Sequence, residues 1–114
     1  MPTRSGKMRR VPRLTSPADM PPGMGEVAAV MGNRARTEIL RLASQRPMTA
    51  PELADTVGLS GVSAWRHLGA LEELGLVDAD VPQGQRKGVT VRWSTNCDRV
   101  RALGGRWAAY ATGE

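Results

Sequence analysis

The chain has one cysteine, one histidine and no phenylalanine among its 114 residues. A single cysteine, Cys97, cannot form an internal disulfide, and alone it cannot build a thiolate cage for a metal. The single histidine, His67, has no local signature of a nucleophile and an orienting acid, and we interpret it as a structural residue. These absences argue against a redox protein, a zinc-cluster protein and an enzyme, and they predict no metal and no cofactor.

A long apolar run is also absent. No stretch approaches the roughly 20 residues needed to span a bilayer, and the N-terminus lacks the apolar segment of a secretion signal. The content of 40% hydrophobic and 24% charged residues is typical of a water-soluble protein. We therefore predict a cytoplasmic protein with no membrane partner, of a length that suits one domain with a modest core.

Acidic residues are missing from the first 15 positions, which contain five basic residues: Arg4, Lys7, Arg9, Arg10 and Arg13. Those five charges equal the net charge of +5, since the other 11 basic and 11 acidic residues balance. Residues 1–23 also hold five of the eight prolines, which predicts a disordered basic arm before a folded domain at 24–114. The positive charge of such an arm suits DNA phosphates. A membrane surface is a poorer match, because the arm lacks the apolar periodicity of a membrane-bound helix.

Residues 49–74 have the pattern of two helices joined by a tight turn. Thr49 and Glu52 have the spacing of a capping box, which gives the first helix a defined start. Gly58 can take the left-handed conformation that ends this helix, and Ser60 can cap the next one by accepting a backbone N–H. The pattern predicts a helix-turn-helix.

The second of these helices is amphipathic. Its apolar residues recur at i, i+4, i+7 and i+10, which predicts a buried side formed by Ala64, Leu68, Leu71 and Leu74. The residues predicted to face outward are Val62, Ser63, Arg66 and Gly69. The outer face is therefore small and basic, which suits entry into a DNA groove.

Two helices are predicted before this unit and a hairpin after it. The helices span about 24–31 and 34–44, and the second is predicted to extend Arg34, Arg36 and Arg41 toward solvent. Residues 76–81 and 89–93 read as strands around a polar, glycine-containing loop. The hairpin carries Arg86 and Lys87 at its tip and Arg92 on its returning strand, which is the layout of a wing.

A last helix is predicted to start near Thr95 or Asn96. Its stripe of Val100, Leu103, Trp107 and Tyr110 is rich in aromatic residues for a terminal helix, and a second copy of the chain is the simplest partner to cover it. The predicted dimer interface combines this helix with the first one and consists of Val27, Val30, Met31, Leu103, Trp107 and Tyr110.

The order of these elements resembles the winged helix-turn-helix repressors of the ArsR family, over about Val27 to Tyr110. The most specific match is residues 59–68, LSGVSAWRHL, followed by 71–77, LEELGLV. The family similarly has a serine opening its recognition helix, a central Arg-His-Leu and a leucine-rich end before Gly-Leu-Val. The resemblance implies a mainly α fold of about five helices plus a small β-hairpin, and a DNA-binding regulator.

Two departures from the family bear on metal sensing. Metal-sensing relatives place two cysteines after Glu-Leu in the helix before the turn, whereas here Glu52-Leu53 is followed by Ala54-Asp55-Thr56. The other family site uses Asp and His on the last helix, and this helix has Asp98 without a histidine. Control by a metal is therefore not expected. Trp65 also replaces a small residue beside the Arg-His pair, so base contacts can differ from those of relatives.

The predicted DNA-binding residues lie in three places: the recognition helix (Ser60, Gly61, Val62, Ser63, Trp65 and Arg66), the wing (Arg86, Lys87 and Arg92) and the arm (Arg9, Arg10 and Arg13). Arg66 could bond bidentately to guanine, contact phosphate, or remain a solvated charge. Ser60 could cap the helix, bind phosphate, or do both. Trp65 could pack on the wing or a neighbouring helix, or contact a base, and the wing cations could contact DNA or form a solvated strand edge.

Three functions remain open at this stage. The first is a sequence-specific transcriptional regulator, a repressor that binds an inverted-repeat operator in double-stranded DNA as a homodimer. The second is an architectural or recombination accessory protein of a mobile element, with slight sequence preference. The third is a winged helix that contacts only proteins. The ratio of specific to random affinity and the salt dependence of binding would discriminate them.

Overall fold

The computed structural model describes residues 20–114, which form five helices and a small antiparallel sheet. The elements in chain order are α1 (Met24–Met31), α2 (Arg34–Gln45), β1 (Met48–Thr49), α3 (Ala50–Val57), α4 (Gly61–Glu73), β2 (Val77–Ala79), β3 (Arg92–Thr95) and α5 (Cys97–Ala111). This confirms the predicted winged helix-turn-helix fold. The arm candidates Arg9, Arg10 and Arg13 lie outside the described residues.

Local hydrogen bonds define the start of α3 and the turn between α3 and α4. Thr49 Oγ1 accepts the N–H of Glu52 at 3.2 Å and Glu52 Oε1 accepts the N–H of Thr49 at 2.9 Å, so the capping box is present. Gly58 adopts φ 85°, in the left-handed region, and its N–H donates to the Ala54 carbonyl at 2.8 Å. Ser60 Oγ accepts the N–H of Ser63 at 3.1 Å and caps α4. These predictions are confirmed.

The core lies between the helix-turn-helix and the sheet. Ala64, Leu68 and Leu71 are fully buried along the inner side of α4, as predicted, while Leu74 is only partly buried. Leu68 and Leu71 belong to the same buried cluster as Ile39 of α2, Leu53 of α3 and Trp93 of β3. Because α4 is held on this side, its opposite side is left to solvent.

The sheet differs from the predicted two-stranded hairpin. A third strand, β1, pairs with β3 and places Met48 opposite Trp93, giving the order β1-β3-β2. A two-residue strand is too short to be recognised from an alternation of apolar and polar residues, and β1 is a strand only because it pairs with β3. The returning strand also starts at Arg92 instead of residue 89, because the N–H of Val89 donates to the Arg86 carbonyl and the chain there is still turning.

The last helix begins at Cys97, directly after the second of the two predicted positions. Asn96 is the N-cap, and its side chain accepts the N–H of Arg99 at 3.0 Å. Thr95 Oγ1 instead donates to the Leu40 carbonyl at 2.7 Å, which fixes the end of β3 to α2. Within residues 20–114, no helix has the length and apolar character required to cross a membrane.

Two glycine substitutions should change stability in opposite directions. A Cβ at Gly58 or Gly69 would meet no atom within 4 Å, so only the backbone conformation matters. Gly58→Ala forces a side chain into the left-handed region and should cost about 1–2 kcal/mol of unfolding free energy. Gly69 is inside α4, and Gly69→Ala should add roughly 0.5–1 kcal/mol. Urea unfolding checks both, and equal effects at the two positions would contradict this account.

Candidate nucleic-acid interface

The outer edge of α4 presents a mixed apolar and cationic surface. Val62 is 75% exposed and Trp65 is 44% exposed, and Arg66 is exposed beside them. Ser60 and Gly61 are exposed at the start of the helix, and Ser63 is partly buried. Five of the six predicted recognition-helix residues are therefore exposed, and Val62, Trp65 and Arg66 lie on the same side of the helix. A protruding helix of this width is the size that enters the major groove of duplex DNA.

The start of α4 has the electrostatics of an anion site. The helix dipole places partial positive charge there, and backbone N–H groups of the first turn point outward. Ser60 uses its oxygen as the helix cap, which confirms that role, while its hydroxyl proton can still be donated. Arg66 Nη2 lies 3.5 Å from Ser63 Oγ, the limit of a hydrogen bond, so the guanidinium is only weakly held.

The Trp65 side chain packs from the recognition helix onto the sheet. Its ring meets the ring of buried Trp93 edge to face, with centroids 5.7 Å apart and planes at 79°. Its remaining surface lines a groove with residues 49–51 at the start of α3 and residues 89–91 before β3. The predicted packing of Trp65 on the wing side is confirmed. Aromatic pairs of this geometry add about 0.5–1.5 kcal/mol beyond burial, and this pair adds to the core contacts that hold α4 against the sheet.

The three wing cations do not share one environment. Lys87 and Arg92 are exposed. Arg86 was expected at the tip with them, yet its side chain is only 17% exposed and folds back onto α4. The difference arises because Glu72 lies at the end of α4, and the Arg86 guanidinium can donate two parallel hydrogen bonds to its carboxylate.

The Arg86–Glu72 latch, as we call this pair, fastens the wing loop to the recognition helix. Arg86 Nη1 and Nη2 donate to the two Glu72 carboxylate oxygens at 3.1 and 2.7 Å, and Arg86 Nε donates to the Val81 carbonyl at 2.7 Å. The guanidinium carbon also lies 5.0 Å from the centre of the Trp93 ring, within cation–π range. Gln83 donates a further bond to Glu72 at 3.0 Å. The wing is thus held in a fixed position relative to α4.

The latch holds the pKa of Glu72 below its ordinary value. The hydrogen bonds from Arg86 are the main cause, with Gln83 and the Arg86 charge also favouring the carboxylate, while burial opposes them. A carboxyl whose pKa is lowered by folding stabilises the folded state fully above its unfolded pKa, near 4.5. This stabilisation is lost as the pH falls through the lower folded value.

We therefore expect Glu72→Gln to remove part of the acid sensitivity of folding. The glutamine can still accept a bond from Arg86 but cannot titrate, so the stability gap between the wild type and this variant should narrow as the pH falls below about 4.5. Urea midpoints at pH 7, 5, 4 and 3 measure the gap, with the exposed Asp55→Asn as the control. If the stability difference between the wild type and Glu72→Gln is constant across this pH range, titration of Glu72 does not contribute to the acid sensitivity of folding.

His67 joins the recognition helix to α2. Its Nδ1 accepts a hydrogen bond from Arg36 Nε at 3.0 Å, and both residues are partly buried. Burial is the main cause that lowers the pKa of His67, and the charges of Arg36 and Arg66 lower it further. The predicted structural role of His67 is confirmed. The solvent-facing position predicted for Arg36 is wrong, because its guanidinium donates a hydrogen bond to His67, 31 residues away in the chain, and the side chain is partly buried.

The predicted dimer-interface residues separate into two groups. Val27, Val30 and Leu103 are 5–6% exposed, because α1 packs against α5 and covers them within the same protomer. Met31, Trp107 and Tyr110 are 49%, 36% and 36% exposed, respectively. The second group is the part of the predicted set that a partner can reach. Among residues 20–114, no group of three or more His, Cys, Asp or Glu side chains is placed to hold a metal ion.

Comparison with known proteins supports the same architecture. Residues 31–79 match the protein-family model described as a helix-turn-helix domain. No curated protein sequence matches the chain. Among solved structures, NolR from Sinorhizobium fredii is 26% identical, with a TM-score of 0.56 and coverage of 87% of this chain and 98% of NolR.

Two further structures have lower sequence identity and show the fold alone. An ArsR-like transcriptional regulator from Rhodococcus sp. RHA1 is 20% identical with a TM-score of 0.59, and covers 78% of this chain and 79% of its own. A homodimeric winged helix-turn-helix DNA-binding domain from Mycobacterium bovis, described as a possible ArsR-family regulator, is 23% identical with a TM-score of 0.55 and the same two coverages. The predicted resemblance to ArsR-like winged helix-turn-helix regulators is confirmed at the level of the fold.

Proposed function

We propose that this chain, which has the fold of the ArsR-like winged helix-turn-helix transcriptional regulators, is a sequence-specific DNA-binding repressor. The observation that carries the proposal is the exposed edge of α4, where Arg66 stands beside a capped helix start and no part of residues 20–114 covers it. In this role α4 enters the major groove. Arg66 reads a base edge, and Ser60 and Ser63 contact phosphate near the helix start.

The wing adds contacts beside the recognition helix. Lys87 and Arg92 are exposed on the loop and strand that the Arg86–Glu72 latch holds against α4. Positive side chains at this position suit phosphate or a narrow minor groove. Because the Arg86 guanidinium is bonded to Glu72, we assign Arg86 the role of positioning the wing. The basic arm, with Arg9, Arg10 and Arg13, supplies further phosphate contacts in this proposal.

A homodimer would present two recognition helices to one duplex. The proposal is supported by the exposed apolar side chains Met31, Trp107 and Tyr110 on α1 and α5, and by the description of the Mycobacterium bovis domain as homodimeric. A two-fold pair reads an inverted repeat whose half-sites lie one helical turn, about 34 Å, or a multiple of it apart. Sedimentation of the full chain should give twice its mass, and a monomer at micromolar concentration would overturn this part.

Selection of bound sequences from a random DNA pool at two salt concentrations tests the function. We expect an enriched inverted repeat, bound more weakly at the higher salt, because phosphate contacts release counterions. Bound DNA without an enriched sequence would overturn the regulator and favour the architectural or recombination accessory role. The absence of salt-sensitive binding would favour a winged helix that contacts proteins only.

A further inference from the structure

The recognition edge carries a highly exposed apolar side chain, Val62. Among the exposed large hydrophobic residues of the described chain, Val62 has the greatest exposure, 75%. It occupies the second position of α4, in the turn that Ser60 caps. Trp65 and Arg66 follow it by three and four positions, so the three side chains lie along one strip of the helix surface. A residue in this place meets the duplex whenever Arg66 does.

Val62 can recognise only an apolar feature. Its side chain has no donor or acceptor, so pressing it against a polar base edge would strip water from that edge without replacing the hydrogen bond. In the major groove of unmodified DNA the one alkyl group is the C5-methyl group of thymine, and the other groups that distinguish the bases there are mainly donors and acceptors. Valine also holds a restricted χ1 angle, so its two methyl groups are positioned before DNA binds.

We propose that Val62 is a specificity-determining residue that reads a thymine methyl group in each operator half-site. This inference rests on the proposed function and adds to it the chemistry of one base contact. The thymine lies beside the base or phosphate that Arg66 contacts, because the two side chains are one helical turn apart on α4. No neighbouring side chain is equivalent: part of the Trp65 ring packs against Trp93, and Ser63 is polar.

Deoxyuridine is the probe, because it removes the methyl group of thymine and leaves its hydrogen bonds unchanged. Each thymine of the selected operator is replaced in turn, in both half-sites together, and Kd is measured by fluorescence anisotropy at fixed salt. At one position we expect wild-type binding to weaken about fourfold per half-site, as burial of one methyl-sized group is worth ~0.8 kcal/mol and 1.4 kcal/mol is tenfold. Val62→Ala should bind the thymine operator more weakly and show a smaller preference for thymine over deoxyuridine, because alanine keeps only one methyl group.

Val89→Ala is the matched control, because Val89 is also an exposed valine, at 50%, but lies outside the recognition helix. This variant should keep the full deoxyuridine effect at the position that Val62 reads. Thermal unfolding of Val62→Ala should match the wild type, since the side chain is mostly in solvent. Wild-type tolerance of deoxyuridine at every position, or an undiminished deoxyuridine effect in Val62→Ala, would overturn the inference.

The outcome also separates this inference from the function on which it rests. If the random pool yields no enriched sequence, the proposed repressor fails before any deoxyuridine is tested. If an inverted repeat is enriched and bound in a salt-sensitive manner while deoxyuridine is tolerated throughout, the regulator stands and only the role of Val62 is rejected.

Discussion

Replacing Arg66 with alanine should weaken binding to each operator half-site by about 1–3 kcal/mol, roughly fivefold to 150-fold, and should relax the preference at one base pair. Arg66 is exposed on the outer edge of α4, and its long hydrogen bond to Ser63 restrains it only weakly. The planar guanidinium can donate two parallel bonds to guanine O6 and N7, and alanine removes both. Kd values for the operator and its three substitutions at that base pair measure the loss.

The controls distinguish a base contact from a phosphate contact. Arg66→Lys keeps the charge but loses the planar fork, so it should recover phosphate attraction with a weaker base preference. Arg106→Ala removes another exposed arginine, from α5 instead of α4, and should leave the base preference unchanged. If Arg66→Ala weakens all sequences equally and Arg66→Lys restores them, Arg66 is a phosphate contact and the base-reading assignment is wrong.

The sequence predicted the helix-turn-helix well because its determinants are local. The Thr49 and Glu52 cap, the left-handed Gly58 and the Ser60 cap all act within four residues of the backbone groups they satisfy. The amphipathic period of α4 then separates the buried side from the exposed edge. The outward positions of Val62 and Arg66 follow from these two facts, without knowledge of what packs on the other side.

Features that depend on distant residues were not predictable in the same way. Arg86 and Glu72 are 14 positions apart, and opposite charge alone does not indicate that the wing loop bends back to α4. Strand β1 exists only through its pairing with β3. Apolar periodicity also cannot tell a helix side covered by the same chain from one left for a partner, which is why the predicted dimer set included buried Val27, Val30 and Leu103 together with exposed residues.

Removing Arg86 should damage both stability and DNA binding, because the Arg86–Glu72 latch joins the wing to the recognition helix. Breaking a fully buried ion pair costs ~3–5 kcal/mol, and with side chains 17% and 20% exposed, solvent screening reduces the expected loss of unfolding free energy to about 1–3 kcal/mol for Arg86→Ala. The variant also loses the bond to the Val81 carbonyl and the contact over Trp93. Urea unfolding measures this loss.

A double-mutant cycle separates the latch from a direct DNA contact. Arg86→Ala, Glu72→Ala and the double variant should give unfolding free energies whose changes do not add, since each single change already breaks the same pair. Lys87→Ala is the matched wing control, because its exposed side chain should affect DNA binding with little effect on stability.

DNA affinity then decides what the latch does for function. If Arg86 acts by positioning the wing, Glu72→Ala should weaken DNA binding as Arg86→Ala does, although removing an acidic residue by itself favours a polyanion. If Glu72→Ala instead strengthens binding while Arg86→Ala weakens it, the guanidinium contacts phosphate directly. In that case the ion pair competes with DNA for Arg86, and the positioning role is wrong.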